Sequence, residues 1–103
     1  MKTKNKRSKF RFTLKQIKLL ELYFKALANK KRVKILLLIN KRPGINVGDI
    51  ARILTIGYQT AAVHTQRLER VGLTYKKYHN TEVQHTLTDK GRRFLKIFGQ
   101  LLK

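Results

Sequence analysis

Between Val47 and Gly72 the apolar residues fall into two short helical sets separated by three residues, and few folds accommodate that spacing. Ile50, Ala51, Ile53 and Leu54 recur as one face of a helix; Ala61, His64, Thr65 and Leu68 recur as one face of another. Thr55-Ile56-Gly57 lies between them, short enough for a tight bend and carrying a glycine to make it. Two short helices across such a turn form a helix-turn-helix, and in motifs of this kind the second helix, here expected over 58–71, enters the major groove of DNA.

The flanking sequence extends this core to a domain. Thr13 is a good N-cap, followed by Leu14, Ile17, Leu20, Phe24 and Leu27 at helical spacing to about Ala28. Leu19, Leu22 and Tyr23 make that helix apolar on a second side, as expected of one that packs on two neighbours, one of them a candidate second subunit. Asn29 caps a helix whose core residues are Val33, Ile35, Leu36, Leu38 and Ile39; Arg42-Pro43-Gly44 stops it, and Asn46 caps the next. Gly72 closes the second helix of the motif. Strands are expected at 73–78 and 83–88 around the turn His79-Asn80-Thr81, giving a wing over 73–88. Thr88 or Asp89 then starts a last helix with Phe94, Leu95, Phe98, Leu101 and Leu102 on its apolar side. The expected fold is mainly α with one small β-hairpin: four helices, a wing and a fifth helix, a winged helix-turn-helix over 13–103 preceded by a flexible basic arm over 1–12.

Charge narrows the partner. Lysine and arginine number 25 against 5 acidic residues, a formal net charge of +20 on 103 residues. Such self-repulsion opposes a compact state, and a polyanion that neutralises it is the simplest complement. Double-stranded DNA comes first and an anionic membrane surface second; the arm has only Phe10 and Phe12 to offer a membrane, and no run is long enough to span one. Cysteine is absent, which removes disulfides and thiolate metal sites and suits a reducing compartment. No apolar segment of secretory type follows the charged start, so the expected location is the cytoplasm, in association with the nucleoid.

From Leu27 to Phe98, about two thirds of the chain, the sequence resembles the ArsR-type winged-helix transcriptional repressors. The segment from Leu27-Ala28-Asn29 through Arg32 to Ile35-Leu36 is similar to that family's opening motif. Asp49-Ile50-Ala51, Leu54, Gln59-Thr60-Ala61 and Leu68-Glu69-Arg70-Val71-Gly72-Leu73 follow its reading-head frame without a gap. Leu87-Thr88-Asp89-Lys90-Gly91-Arg92 resembles the junction between wing and last helix. The resemblance implies a dimer contact through the first and last helices, here Leu20, Phe24, Phe94, Phe98 and Leu101, and hence a homodimer. Family members that sense metals carry a cysteine pair where this chain has Asn46 and Gly48, or Asp and His on the last helix, which here has Asp89 and no histidine. No metal and no cofactor are expected.

With Ala61, Thr65 and Leu68 inward, the outward side of the second helix holds Gln59, Ala62, Val63, Gln66 and Arg70, with Tyr58 at its leading end. Glutamine pairs with adenine in the major groove, and small apolar side chains meet the thymine methyl, so Tyr58, Gln59, Ala62, Val63 and Gln66 are the expected base contacts. Phosphate and wing contacts are expected from Arg52, Thr60, Arg67, Arg70, Lys76, Lys77, His79 and Asn80. An ordinary solvated helix face and ribbon remain the bland alternative for both sets. His64 sits on the border of the buried side and reads as a half-buried packing or phosphate-contacting residue; it, His79 and His85 have no nucleophile or paired carboxylate spaced to work with them, and Glu82 and Asp89 are expected in ion pairs. The residues therefore point away from an enzyme and towards a transcriptional regulator, with a low-specificity architectural DNA binder as the alternative and RNA binding third.

Overall fold

The computed structural model describes residues 11–103. The arm expected over 1–12 lies outside them except for Arg11 and Phe12, both exposed.

Helix α1 spans Leu14–Leu27 and opens with a reciprocal cap: Gln16 N–H donates to Thr13 Oγ1 at 3.1 Å and Thr13 N–H donates to Gln16 Oε1 at 2.9 Å. α2, Lys30–Lys41, is capped by Asn29, whose side chain accepts from Arg32 N–H. It stops before Pro43, and Gly44 at φ 92° turns the chain in the left-handed region that glycine favours. α3, Val47–Leu54, is capped by Asn46. Thr55, at φ 55°, makes the turn into α4, Tyr58–Arg70. Gly57 sits at the cap of α4 and, lacking a side chain, leaves its first amides without a side-chain acceptor.

The wing pairs β1, Thr74–His79, with β2, Glu82–Leu87, in an antiparallel register from Thr74 opposite Leu87 to His79 opposite Glu82. Both strands sit one residue from the expected bounds, and α4 ends one residue early, with Val71 as its cap. The cause in the wing is Asn80: at φ 58° it turns the chain within two residues, which leaves His79 and Glu82 free to pair. Ile45 bridges to His85, tying the wing's base to the loop before α3.

α5, Asp89–Leu101, is held at its start by Thr88, which accepts from Gly91 N–H at 3.0 Å and donates to Gly72 O at 2.6 Å. Gly91 packs against the Leu73 carbonyl so closely that a Cβ there would collide with it. The junction motif thus has a geometric basis: its threonine and glycine dock α5 onto the chain between α4 and the wing.

Ile35, Leu36, Ile39, Ile50, Leu68, Leu73 and Leu87 form one core beneath the helix-turn-helix and the wing. α1 contributes little to it. Its buried residues are Tyr23 and Ala26, while the expected stripe of Leu14, Ile17 and Phe24 is exposed, Leu14 by 77% and Phe24 by 52%. No helix among the described residues is long and apolar enough to cross a membrane.

Candidate nucleic-acid interface

At 100° per residue, burying Ala61, Thr65 and Leu68 divides the rest of α4 into three strips. Directly opposite the core, Gln59, Val63, Gln66 and Arg70 are exposed. On the wing side, Tyr58, Ala62 and Glu69 face an open groove of about 500 Å³, closed by the start of α3 and by Lys76, Val83 and His85 of the wing; Gln66 reaches both strips. On the other side Thr60, His64 and Arg67 follow one another at spacings of four and three residues, beside the N-terminal turn of α2. The expected base contacts spread over two adjoining strips: Gln59 and Val63 lie on the outer strip and Tyr58 and Ala62 in the groove, with Gln66 joining the two.

The wing is divided in the same way. Lys76 lies across from His85, on the face towards α4, and Lys77 lies across from Gln84 on the opposite face. His79 and Asn80 are exposed at the tip. Arg52 is exposed on α3 and holds Asp49 at 3.4 Å.

The acids sharpen the electrostatics. Glu21 pairs with Lys25, Asp49 with Arg52 and Asp89 with Arg92. Glu82, expected in an ion pair, instead accepts from the Asn46 and Gln84 amides at 3.3 and 3.4 Å, because the Ile45 bridge brings Asn46 against the wing. Glu69 and Glu82 both line the groove, so the helix-wing groove is the least basic part of this surface and the strip of Thr60, His64 and Arg67 the more basic.

Two histidines do more than their sequence positions suggest. His85 is only 5% exposed, and neither ring nitrogen has a partner among the described residues. Burial holds it below the ordinary histidine range; Glu69 opposes that shift and Lys76 adds to it. Its alternation with Leu87 on β2 was the signal for an inward side chain. His64 is half-buried, with Nδ1 3.1 Å from Nη1 of Arg32. Arg32 itself is buried and donates to the backbone oxygens of Ala26 and Lys25. Nothing in the sequence marked that contact, since the partners are carbonyls at the end of the preceding helix.

The residues expected at a dimer contact do assemble. Phe94 stacks on Phe98 at 5.7 Å and meets Tyr23 edge-on at 5.1 Å. Phe24, Phe94, Phe98 and Leu101 line an apolar groove of about 640 Å³ with Leu27, Leu36 and Leu37, and Leu20 lies in an adjoining hollow with Ile17 and Phe24. Among the described residues no cluster of three or more His, Cys, Asp or Glu could hold a metal ion.

Among the described residues, five helices with a two-stranded hairpin between the fourth and fifth define a winged helix-turn-helix. Solved structures agree. The homodimeric winged helix-turn-helix DNA-binding domain from Mycobacterium bovis is 24% identical, covering 84% of this chain and 80% of its own, with a TM-score of 0.74. The transcriptional regulator HlyU from Vibrio vulnificus is 22% identical over 98% of both chains, with a TM-score of 0.70. An ArsR-like transcriptional regulator from Rhodococcus is 22% identical over 86% of this chain and 87% of its own, with a TM-score of 0.68. No protein-family model matches the sequence, and no curated protein sequence matches it.

Proposed function

We propose that this protein is a double-stranded DNA-binding transcriptional regulator, acting as a homodimer and most simply as a repressor. The observation that carries this reading is the outer strip of α4. Gln59, Val63, Gln66 and Arg70 project from a helix rigidly seated on the core, have no role in that core, and stand on a chain of net charge +20. In the major groove the glutamines address adenine and Val63 a thymine methyl, while Arg70, Arg52 and the wing tip reach phosphates or the flanking groove. The apolar face of α1 and α5 supplies the contact between copies. A two-fold dimer places two reading helices about 34 Å apart and selects a pseudo-palindrome. The structural neighbours with regulatory and DNA-binding descriptions support this reading.

The charge of +20 favours a second reading, an architectural protein that binds duplex with little base selectivity. Fluorescence anisotropy across a salt series separates the two. A duplex selected from a random pool should keep an advantage of about a thousandfold over random duplex at physiological salt if the protein is a regulator. Equal affinities falling with the same steep salt slope would identify an architectural binder and remove the base-contact role of Gln59 and Gln66.

A further inference from the structure

A guanidinium has five N–H donors and no acceptor, so a contact between Arg32 Nη1 and an imidazole nitrogen has a fixed polarity. Arg32 donates to His64 Nδ1 at 3.1 Å, Nδ1 accepts, and the ring proton must sit on Nε2. The guanidinium is held in place, because Nε–H donates to the Ala26 carbonyl and Nη2 to the Lys25 carbonyl, and the residue is 7% exposed. Among the described residues Nε2 has no hydrogen-bond partner, and it is not sealed from solvent. Its surroundings are cationic: Arg32 and Lys31 from α2 and Arg67 from α4, with the Thr60 hydroxyl one turn before it.

We propose that His64 is a phosphate-binding residue of this surface, and that Arg32 is its positioning residue, holding the imidazole neutral with Nε2–H directed to an oxygen of the DNA backbone. The proposal rests on the duplex-binding reading above. The donor is stronger than an ordinary imidazole, because the hydrogen bond from a buried cation draws electron density from Nδ1 and polarises the ring towards Nε2–H. Among the described residues Arg32 has no carboxylate partner, so its charge is conveyed to the surface through the ring rather than cancelled. Thr60, His64 and Arg67 then form a row of hydroxyl, neutral N–H and cation along one flank of α4. Burial first, then Arg32, Lys31 and Arg67, holds His64 below the ordinary histidine range. A second proton would have to enter on Nδ1, against the guanidinium N–H already there. His64 therefore contributes a hydrogen bond without contributing a charge.

That combination has its own signature. His64→Asn keeps an acceptor where Nδ1 stood and removes the distal donor; His64→Gln places an amide N–H near Nε2. His64→Asn should melt like the wild type, lose about tenfold in affinity for duplex at fixed salt, and leave the slope of log affinity against log salt unchanged. His64→Gln should recover most of the loss. Arg67→Gln, a lost cation, should reduce that slope by about one. In the free wild-type protein, two-bond 1H–15N spectra should show Nδ1 unprotonated and Nε2 protonated, and Arg32→Lys should mix the tautomers. A wild-type chain that binds duplex while His64→Asn binds equally well overturns this proposal alone; so does a slope that falls with His64→Asn, or a proton found on Nδ1. A wild-type chain that binds no duplex overturns the DNA-binding reading and this proposal with it.

Discussion

The two ends of this small domain are built to different standards of completeness. Around the helix-turn-helix, Ile35, Ile39, Ile50, Leu68 and Leu73 are sealed from water, and the partly buried side chains around them pack onto the same cluster. At α1 and α5 the apolar side chains are as numerous but open: Leu14, Ile17, Phe24, Ile97, Leu101 and Leu102 are each at least half exposed. A chain of this length has limited surface to bury, and it has used that capacity to hold the reading head rigid. The other end has the composition of a core without its burial, as the proposed contact between copies requires. On the proposed dimer, rigidity is intrinsic to the protomer in one region and comes from association in the other.

Single substitutions test that contrast. The largest effect is expected from Leu68→Ala, which opens a cavity in the sealed half and should cost about 3 kcal/mol in chemical denaturation. Gly91→Ala acts at the seam, since its methyl must displace the Leu73 carbonyl or lift α5; a loss of about 2 kcal/mol is expected in the same measurement. Asn46→Ala removes the cap of α3 and should cost about 1 kcal/mol. In the open half, Phe24→Ser should change the unfolding free energy of the dilute protomer by no more than about 0.5 kcal/mol, yet abolish the dimer in sedimentation and make Tm independent of concentration. If Phe24→Ser instead destabilises the protomer as Leu68→Ala does, the contrast is wrong.

The smallest effect concerns pH. His85 and His64 are both held below their ordinary value of 6.5 in the fold, so the unfolded chain binds more protons near that pH and the native state is favoured above it. Stability should be fully present above about pH 6.5 and decline as the pH falls towards the depressed folded values, with a shallower decline in His85→Leu. Thermal melts across that window measure it.

Much of the reading head was legible because its signals are local. Thr13, Asn29, Asn46 and Thr88 each stand before a helical period and each caps a helix. The bend at 55–57 and the closure at Gly72 followed from turn chemistry. Burial on α1 was less legible, since a stripe such as Leu14, Ile17, Leu20 and Phe24 has the same period whether it meets the protein's own core or another molecule. The candidate interface was legible as a set of residues but not as a partition. That Gln59 and Tyr58 belong to different strips, or Lys76 and Lys77 to different faces, follows only once the inward directions of α4 and the wing are known. The Arg32 contact with His64 joins residues 32 positions apart and obeys no periodicity.

On the proposed reading, the bridge between Ile45 and His85 bears on how half-sites are measured. Gly44 N–H donates to His85 O at 2.8 Å and His85 N–H donates to Ile45 O at 3.0 Å, so the wing shares backbone hydrogen bonds with the loop that leads into α3. That loop leads into α3, which packs on α4, so wing and α4 are tied through the backbone as the two jaws of a caliper are. In the proposed dimer of such calipers, any tolerance for base pairs inserted between half-sites, or any signal that alters it, acts through the proposed α1 and α5 contact.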